Sequence, residues 1–202
     1  MPKITEIKII DCFGQKHHNF MLINQFFELR KEVFVKKLGW TLDTFRDLEF
    51  DQYDTFLSRY IIATENDKVV GGARILQTNQ KMPSCRGARP YSYMIKDSHD
   101  GMLTGLPANL CYVTPPVSSD IWEITRLCSV SNGVAPNLIM DKCIDYLSSQ
   151  KAKEALFICT PAGVRYARRS GRKVTELGPI YENESGKFQA ISFVLDGESS
   201  ND

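Results

Sequence analysis

The pattern of apolar and polar positions along the chain predicts strands that alternate with helices. Residues 17–37 carry apolar side chains at helical spacing, and Gly39 follows where a left-handed cap is expected. Two apolar runs on either side of the polar turn 65–68 predict a β-hairpin. The same reasoning predicts further helices at 136–150 and 162–170 and further strands at 4–10, 121–130, 155–159 and 188–195. The sequence therefore predicts a mixed α/β fold.

Two segments between these elements lack a clear period. Residues 40–57 are polar and irregular, which predicts a loop over the sheet. Residues 78–119 are rich in proline, glycine and serine, with one helical turn predicted at 93–96. Long connections of this kind are usually functional lids or mobile segments. We expect one domain over residues 1–202, with 79–119 as a long variable loop region and 197–202 as a disordered tail.

Composition excludes several classes of function. The chain has 202 residues, 43% of them hydrophobic, which suits one α/β domain with a sizeable core. Its 25 basic and 24 acidic residues are nearly balanced, so we expect neither nucleic acid nor a membrane surface as a partner. No segment approaches the length of about 20 apolar residues that spans a bilayer, and the start does not resemble a signal peptide. We expect a soluble, cytoplasmic protein.

The six cysteines lack a Cys-x-x-Cys pair and a nearby histidine. They are typical of reduced thiols that fill a core, as in a cytosolic protein. No metal site is predicted.

Arg30 lies on the core-directed face of the first predicted helix. It stands three residues after Phe27 and four before Phe34, so the three side chains share one face. A guanidinium there needs an anion. One interpretation is a structural ion pair with Asp51 or Asp54; the other is a bidentate grip on a ligand carboxylate.

Aromatic side chains and carboxylates follow Arg30 in one short stretch. Phe34 and Trp40, taken alone, are typical of a core. Beside Asp51 and Asp54 they also suit a cage that attracts a cation. Together with Arg30, the set favours a small zwitterionic ligand that carries a further positive charge.

The run from Trp122 to Arg126 resembles a strand but contains charged side chains. Glu123 and a polar partner two to three residues away therefore need a polar environment inside an apolar strand. An active site would provide it.

These motifs together resemble the acyl-homoserine-lactone synthases, the autoinducer synthases of bacterial quorum sensing. The resemblance rests on Arg-x3-Phe-x5-Trp, Asp-x2-Asp, the arginine of Gly-Gly-Ala-Arg, and Trp-Glu-Ile-Thr-Arg, and it extends from about residue 26 to residue 178. It implies a three-layer α/β/α fold like that of the N-acetyltransferases (GNAT-like), in which a splayed mixed sheet forms an acyl cleft. It also implies an acyltransferase whose substrates are S-adenosylmethionine and an acyl thioester on acyl carrier protein or, less often, coenzyme A, with no cofactor and no metal.

The resemblance also implies roles for individual residues. Glu123 is the candidate base that removes a proton from the amine of S-adenosylmethionine, and its alternative is a structural bridge to Arg126 or Arg74. Arg30, with Arg74 or Arg126 behind it, would grip the carboxylate of this substrate. The two aspartates would face its ammonium and sulfonium, and the aromatic pair would close over it. Those aspartates could instead cap backbone amides of the loop. The predicted S-adenosylmethionine site comprises Arg30, Phe34, Trp40, Asp51, Asp54, Arg74 and Arg126.

The acyl donor is predicted from a turn and a basic patch. N-acetyltransferases that bind coenzyme A hold its pyrophosphate with a Gln/Arg-x-x-Gly-x-Gly/Ala turn. Here residues 130–135 keep the glycine and alanine but place Val130 where the basic or amide residue should be. This favours acyl carrier protein as the donor. A patch that either docks the acidic carrier or is a solvated helix face comprises Arg165, Arg168, Arg169, Arg172 and Lys173.

Thr160 falls at or beside a position that can hydrogen-bond a 3-oxo acyl chain in this family. The same residue could merely cap the helix that begins at Pro161. The long segment 79–119 is predicted to line or cover the acyl chain.

Two other classes fit the same residues. One is a GNAT-type N-acetyltransferase that uses acetyl-coenzyme A and ignores S-adenosylmethionine. The other is a sensor that binds S-adenosylmethionine or an acyl carrier without turnover and releases no methylthioadenosine.

Overall fold

The strands and helices of the chain follow the predicted alternation. The computed structural model describes residues 4–11, 17–84, 89–130 and 134–195. The helical elements are α1 (His17–Arg30), which continues as a π-helical turn (Lys31–Lys37), α2 (Met94–His99), α3 (Val134–Ser149) and α4 (Pro161–Arg169). The strands are β1 (Glu6–Asp11), β2 (Thr44–Phe45), β3 (Leu48–Glu49), β4 (Arg59–Glu65), β5 (Lys68–Gln77), β6 (Ile121–Ser129), β7 (Glu154–Cys159), β8 (Val174–Glu176), β9 (Tyr181–Asn183) and β10 (Gly186–Val194).

Several predictions lie outside the described residues. They are the disordered tail at 197–202, Ser131–Gly133 of the proposed phosphate turn, and two of the cysteines, Cys12 and Cys85. The other four cysteines are free thiols, as predicted. Among the residues that the structure describes, no helix is long and apolar enough to cross a membrane.

The chain divides into two compact units. The first comprises Met1–Leu76 and Ile124–Asp145, and the second comprises Gln77–Glu123 and Tyr146–Asp202. β6 begins in the second unit and ends in the first. The prediction of one domain over the whole chain stays a prediction.

The first unit is a sheet with one helix on each face. Its strands are hydrogen-bonded in the order β1-β4-β5-β6, and β1 and β5 are both antiparallel to β4. Two adjacent glycines of β5 let the helices approach, because successive residues of a strand face opposite sides. A Cβ atom on Gly71 would lie 2.6 Å from Ile139 of α3, and one on Gly72 would lie 2.8 Å from Phe26 of α1. The unit therefore has an α/β/α layering.

The hydrophobic core of this unit lies between α1 and the sheet. Leu22, Phe26 and Leu29 of α1 pack against residues such as Ile62 of β4. The helix then widens into the π-helical turn, and the chain reverses at Gly39, whose φ of 70° confirms the predicted left-handed cap. The amide of Trp40 donates to the carbonyl of Phe34 at this reversal.

The second unit contains the rest of the sheet and the long connection. Its strands follow the order β6-β7-β10-β8, with β9 paired to β10. β10 is antiparallel to β7, β8 and β9.

Hydrogen bonds within the second unit hold the long connection in place. The Tyr93 hydroxyl donates to the carbonyl of Pro116 at 2.5 Å, and the Tyr112 amide donates to the carbonyl of Leu177 at 2.7 Å. The single helical turn predicted at 93–96 is present as α2.

Candidate functional site

A network of arginines and carboxylates occupies the first unit, and Arg30 lies at its buried end. Arg30 ends α1 with a side chain that is 0% exposed. Its Nη1 and Nη2 atoms each donate to one carboxylate oxygen of Asp54 at 2.9 Å, and its Nε donates to Glu49 at 2.5 Å. All three guanidinium nitrogens are therefore engaged by the protein itself. This is the geometry of the structural ion pair, one of the two interpretations of Arg30.

Arg74 extends the network from β5. Its side chain is 1% exposed and pairs bidentately with Asp51, at 2.5 and 3.1 Å. Its Nη1 also lies 2.9 Å from Asp54, and its Nε donates to the hydroxyl of Thr125 at 3.1 Å. Asp54 is thus shared between two arginines and also accepts a hydrogen bond from Tyr60 at 3.0 Å.

Arg126 completes the network and is its most exposed arginine. Its Nη2 lies 2.8 Å from Asp51 and 3.2 Å from Glu49, and its side chain is 11% exposed. Glu49, which binds both Arg30 and Arg126, was not among the residues predicted from the sequence. Glu49 lies two residues before Asp51. Because residues two apart in an extended segment share one face, this spacing could have predicted that the two carboxylates lie together.

The backbone of β6 explains how neighbouring side chains both join this network. Strict alternation would direct Thr125 and Arg126 to opposite faces. Arg126 instead has a φ of 54°, in the left-handed region that non-glycine residues seldom adopt. Such residues are strained and are often found at functional sites. The irregularity lets Arg74 reach Thr125 while Arg126 reaches Glu49 and Asp51.

The charges of the network are balanced, with three guanidinium groups against three carboxylates. Burial alone would raise the pKa of Asp54, but Arg74 and Arg30 outweigh it and hold that pKa well below its usual range. The pKa of Asp51 is likewise lowered, because Arg74 and Arg126 outweigh burial. Both carboxylates therefore remain ionised at neutral pH.

Phe34 and Trp40 form a stacked pair beside the network. Their ring centroids are 4.9 Å apart and their planes differ by 10°. Phe34 is buried and Trp40 is half-buried. The Cζ atom of Arg126 lies 5.9 Å from the ring centroid of Phe34. The structure brings together the aromatic and charged residues that the sequence predicted for one site.

A cavity of about 320 Å³ opens next to the network. Its walls carry two carboxylates and two aromatic rings, and the lining residues are Asp43, Thr44, Phe45, Phe50, Asp51 and Gln52. Asp51 belongs both to this wall and to the ion network. A ligand in the cavity would contact the carboxylate of Asp51, which Arg74 and Arg126 hold in position.

Glu123 lies in the second unit, near the start of β6, and is 2% exposed. Its two oxygens accept hydrogen bonds from the first amides of α2, Met94 at 3.0 Å and Ile95 at 2.7 Å. These partners were not predicted from the sequence. A carboxylate has about four acceptor positions, so these two bonds do not exhaust its capacity to accept a proton.

Glu123 also influences its neighbours in the second unit. Burial, with a contribution from Glu123, raises the pKa of the Cys111 thiol to about 11. The same two effects raise the pKa of the Tyr93 hydroxyl. These groups therefore stay protonated around Glu123 at neutral pH.

Thr160 and the basic patch lie at the ends of α4. Thr160 caps the helix, since its hydroxyl accepts from the amide of Gly163 at 3.2 Å. Arg168 pairs with Glu176 at 2.8 Å on the surface. Every other basic residue of the predicted docking patch is exposed except the half-buried Arg172.

Comparison with known proteins identifies the family. Residues 14–201 match the autoinducer synthase family. The chain belongs to the autoinducer synthase family. An acyl-homoserine-lactone synthase from Pseudomonas aeruginosa is 32% identical over 173 residues, which cover 81% of this chain and 75% of that protein. A second such synthase, from Acinetobacter nosocomialis, is 28% identical and covers 78% of this chain and 84% of that protein.

Solved structures confirm the predicted fold of this family member. A coenzyme-A-dependent acyl-homoserine lactone synthase, solved with S-adenosylmethionine and isopentyl-CoA, matches with a TM-score of 0.76 and 24% identity, covering 94% of this chain and 83% of that chain. An acyl-CoA N-acyltransferase from Pseudomonas aeruginosa matches with a TM-score of 0.58 and 11% identity, covering 93% of this chain and 99% of that chain. The autoinducer synthase described here is therefore an acyltransferase with an N-acetyltransferase-like fold.

Proposed function

We propose that this autoinducer synthase acylates the amine of S-adenosylmethionine from acyl carrier protein and then closes the homoserine lactone. The observation that carries the proposal is the dual position of Asp51, which lines the cavity and is held in place by Arg74 and Arg126. A preorganised carboxylate binds a cationic ligand without first reorganising.

The lining of the cavity supplies carboxylates and aromatic rings that would bind parts of S-adenosylmethionine. Asp43 and Asp51 would face its ammonium and sulfonium charges, while Phe45 and Phe50 provide flat apolar surfaces for the adenine. Trp40 would close over the methionine and adenine parts together with Phe34, whose ring stacks against that of Trp40. Exclusion of water would protect the thioester from hydrolysis.

The arginines divide between support and binding. Every guanidinium nitrogen of Arg30 and Arg74 is bound within the protein, and these two arginines would order Asp51 and Asp54. Arg126, which keeps the largest exposed fraction of the three, would hold the carboxylate of the substrate. The grip on the ligand is thereby assigned to Arg126, whereas the family resemblance implied Arg30 with Arg74 or Arg126 behind it.

The first chemical step is acyl transfer. The ammonium must lose a proton before it can attack, and Glu123 would accept that proton directly or through one water. The amine nitrogen then forms a bond to the thioester carbonyl carbon. The C–S bond of the thioester breaks, and the sulfur leaves with the bonding electrons and takes up a proton.

The second step is lactone closure. A carboxylate oxygen of the acylated substrate attacks the carbon next to the sulfonium. The bond from that carbon to sulfur breaks with its electron pair moving to sulfur, which neutralises the sulfonium and releases methylthioadenosine. Holding the carboxylate and the sulfonium in one orientation makes this step effectively intramolecular.

The choice of acyl donor depends on the surface of α4. Its exposed arginines suit an acidic carrier protein, which supports acyl carrier protein as the donor. Coenzyme A is the second candidate, because the similar synthase with a TM-score of 0.76 is coenzyme-A-dependent. Turnover with the same acyl group on each carrier distinguishes the two.

Mass spectrometry of extracts from cells that express the chain tests the reaction. We expect a homoserine-lactone fragment with the intact protein and none with a folded Glu123→Ala variant. Purified protein should release methylthioadenosine only when both substrates are present. An intact, folded protein that produces neither compound with either class of acyl donor would contradict the proposed function.

A further inference from the structure

Gln189 places a polar side chain inside the second unit. It lies on β10 and is 3% exposed. Among the residues that the structure describes, its Nε2 atom has no hydrogen-bond partner. Buried amide groups are almost always hydrogen-bonded, because leaving one unpaired costs free energy. The amide is therefore suited to an acceptor that the described chain does not supply.

The register of β10 against β7 locates this amide beside a strip of half-buried apolar side chains. Gln189 pairs with Cys159, and Ile191 pairs with Phe157, so these residues share one face of the sheet. β7 has a neighbouring strand on each side. Even so, Phe157 and Cys159 are only half-buried, whereas Ala155, at the other end of β7, is fully buried. This face is thus incompletely covered at the end of β7 next to Gln189.

The start of α4 lies against the same strip. A Cβ atom on Gly163 would lie 3.2 Å from the Cβ of Cys159, so the absence of a side chain there allows the close approach of the helix. Thr160 is exposed and already accepts a hydrogen bond as the cap of α4. Gln189 is buried whereas Thr160 is exposed. A hydrogen bond from a ligand would therefore stabilise Gln189 more than Thr160.

We propose that Gln189 donates a hydrogen bond to an oxygen substituent on the acyl chain, which makes this synthase prefer acyl donors with a carbonyl or hydroxyl group on the chain to unsubstituted ones. The inference rests on the proposed function and deepens it. The apolar strip formed by Phe157 and Cys159 suits the methylene groups of the chain, while the amide suits a carbonyl or hydroxyl oxygen. An unsubstituted chain would leave the buried N–H unpaired, and sites built to hydrogen-bond a substrate reject analogues that lack the group.

Separate assays with matched thioesters test this preference. Intact protein receives S-adenosylmethionine and thioesters of equal length that are unsubstituted, 3-oxo or 3-hydroxy, and methylthioadenosine release gives kcat/KM for each. We expect at least one oxygen-substituted donor to be favoured about tenfold or more, and Gln189→Leu to bring the ratio close to one. KM for S-adenosylmethionine should not change.

Two further variants separate recognition from damage to the fold. Ser192→Ala changes a buried side chain on the opposite face of β10 and should leave the donor ratio unchanged. If the Gln189→Leu protein does not fold, Gln189→Met replaces it, because methionine is apolar and, like glutamine, unbranched.

Each remaining outcome has a definite meaning. An equal donor ratio in the parent and Gln189 variants would overturn the inference and point to water as the acceptor. A parent enzyme that prefers unsubstituted chains would also overturn it. A parent that releases no methylthioadenosine with any donor would overturn the proposed function itself, so the two failures are distinguishable.

Discussion

Arg30 and Arg126 carry the same charge but occupy different environments. Arg30 is fully buried and bound on every nitrogen by Glu49 and Asp54, so we propose that it supports other residues rather than contacting ligand. Arg126 shares Glu49 but keeps part of its side chain exposed. Sequence spacing placed Arg30 correctly on the core-directed face. It could not show which arginine remains accessible, because that depends on carboxylates contributed by a distant loop.

At the residue scale, Trp40 should distinguish the two substrates. Trp40→Ala removes a half-buried ring that we place over S-adenosylmethionine, so KM for this substrate should rise about tenfold. KM for the acyl donor should change much less. Steady-state kinetics with each substrate varied in turn measures both constants.

Phe20→Ala is the matched control, because Phe20 is an aromatic residue of α1 that is 67% exposed. Its kinetic constants should equal those of the parent. If Trp40→Ala raised both Michaelis constants equally, the placement of Trp40 over S-adenosylmethionine would be wrong.

At the scale of elements, α4 combines an apolar side with a basic one. Val164 is buried, whereas Arg165, Arg168 and Arg169 are exposed. Arg168 and Arg169 lie in the last turn of the helix, where positive charge is also favoured by the helix dipole. The surface of α4 is therefore compatible with carrier docking and with a solvated helix face, and only a functional measurement separates them.

Charge reversal on α4 distinguishes carrier docking from a solvated helix face. Arg168→Glu combined with Arg169→Glu should lower kcat/KM with acyl carrier protein by about tenfold or more, because like charges would then meet across the contact. Turnover with a small thioester mimic should be preserved. Parallel assays with the two donors measure the difference.

Glu176→Gln controls for the surface ion pair that this change breaks. It removes the partner of Arg168 without altering the charge of α4. Exposed pairs of this kind contribute little, so both donors should behave as with the parent. Loss of activity with both donors in the doubly reversed variant would argue against docking on α4.

At the scale of the whole molecule, the buried ion network should make stability depend on pH. Asp51 and Asp54 have lowered pKa values in the folded protein, whereas an aspartate in an unfolded chain has a pKa of about 3.9. A lowered folded pKa contributes stability that is fully present above the unfolded value and is lost as the pH falls below it. Urea unfolding should therefore show a falling free energy of unfolding below about pH 4.

Asp54→Asn should test the origin of this acid sensitivity. The variant leaves buried arginines incompletely paired, so it should lose about 3–5 kcal/mol at pH 7 and fall less steeply on acidification. Asp47→Asn is the control, since that side chain is 91% exposed. An unchanged acid slope in the Asp54 variant would show that other carboxylates are responsible.

Local patterns were sufficient for the order of the longer elements and for some of their boundaries. Periods of helix and strand are repeated over many residues, and a cap such as Gly39 is set by backbone conformation within a single turn. The short strands β2, β3, β8 and β9 were not predicted, because two or three residues do not establish a period. Similarly, Gln189 gave no local signal in the predicted final strand.

The sequence by itself determined the alternation of strands and helices and the presence of charged side chains within core-directed segments. Only the tertiary structure decided their partners. Arg126 meets Glu49 across 77 residues of chain, and Arg30 meets Asp54 across 24. Such contacts depend on strand order and on the irregular backbone of β6, not on local spacing. For that reason the sequence indicated most of the charged residues of the network but not Glu49, and the proposed division between supporting and ligand-facing arginines depends on the fold.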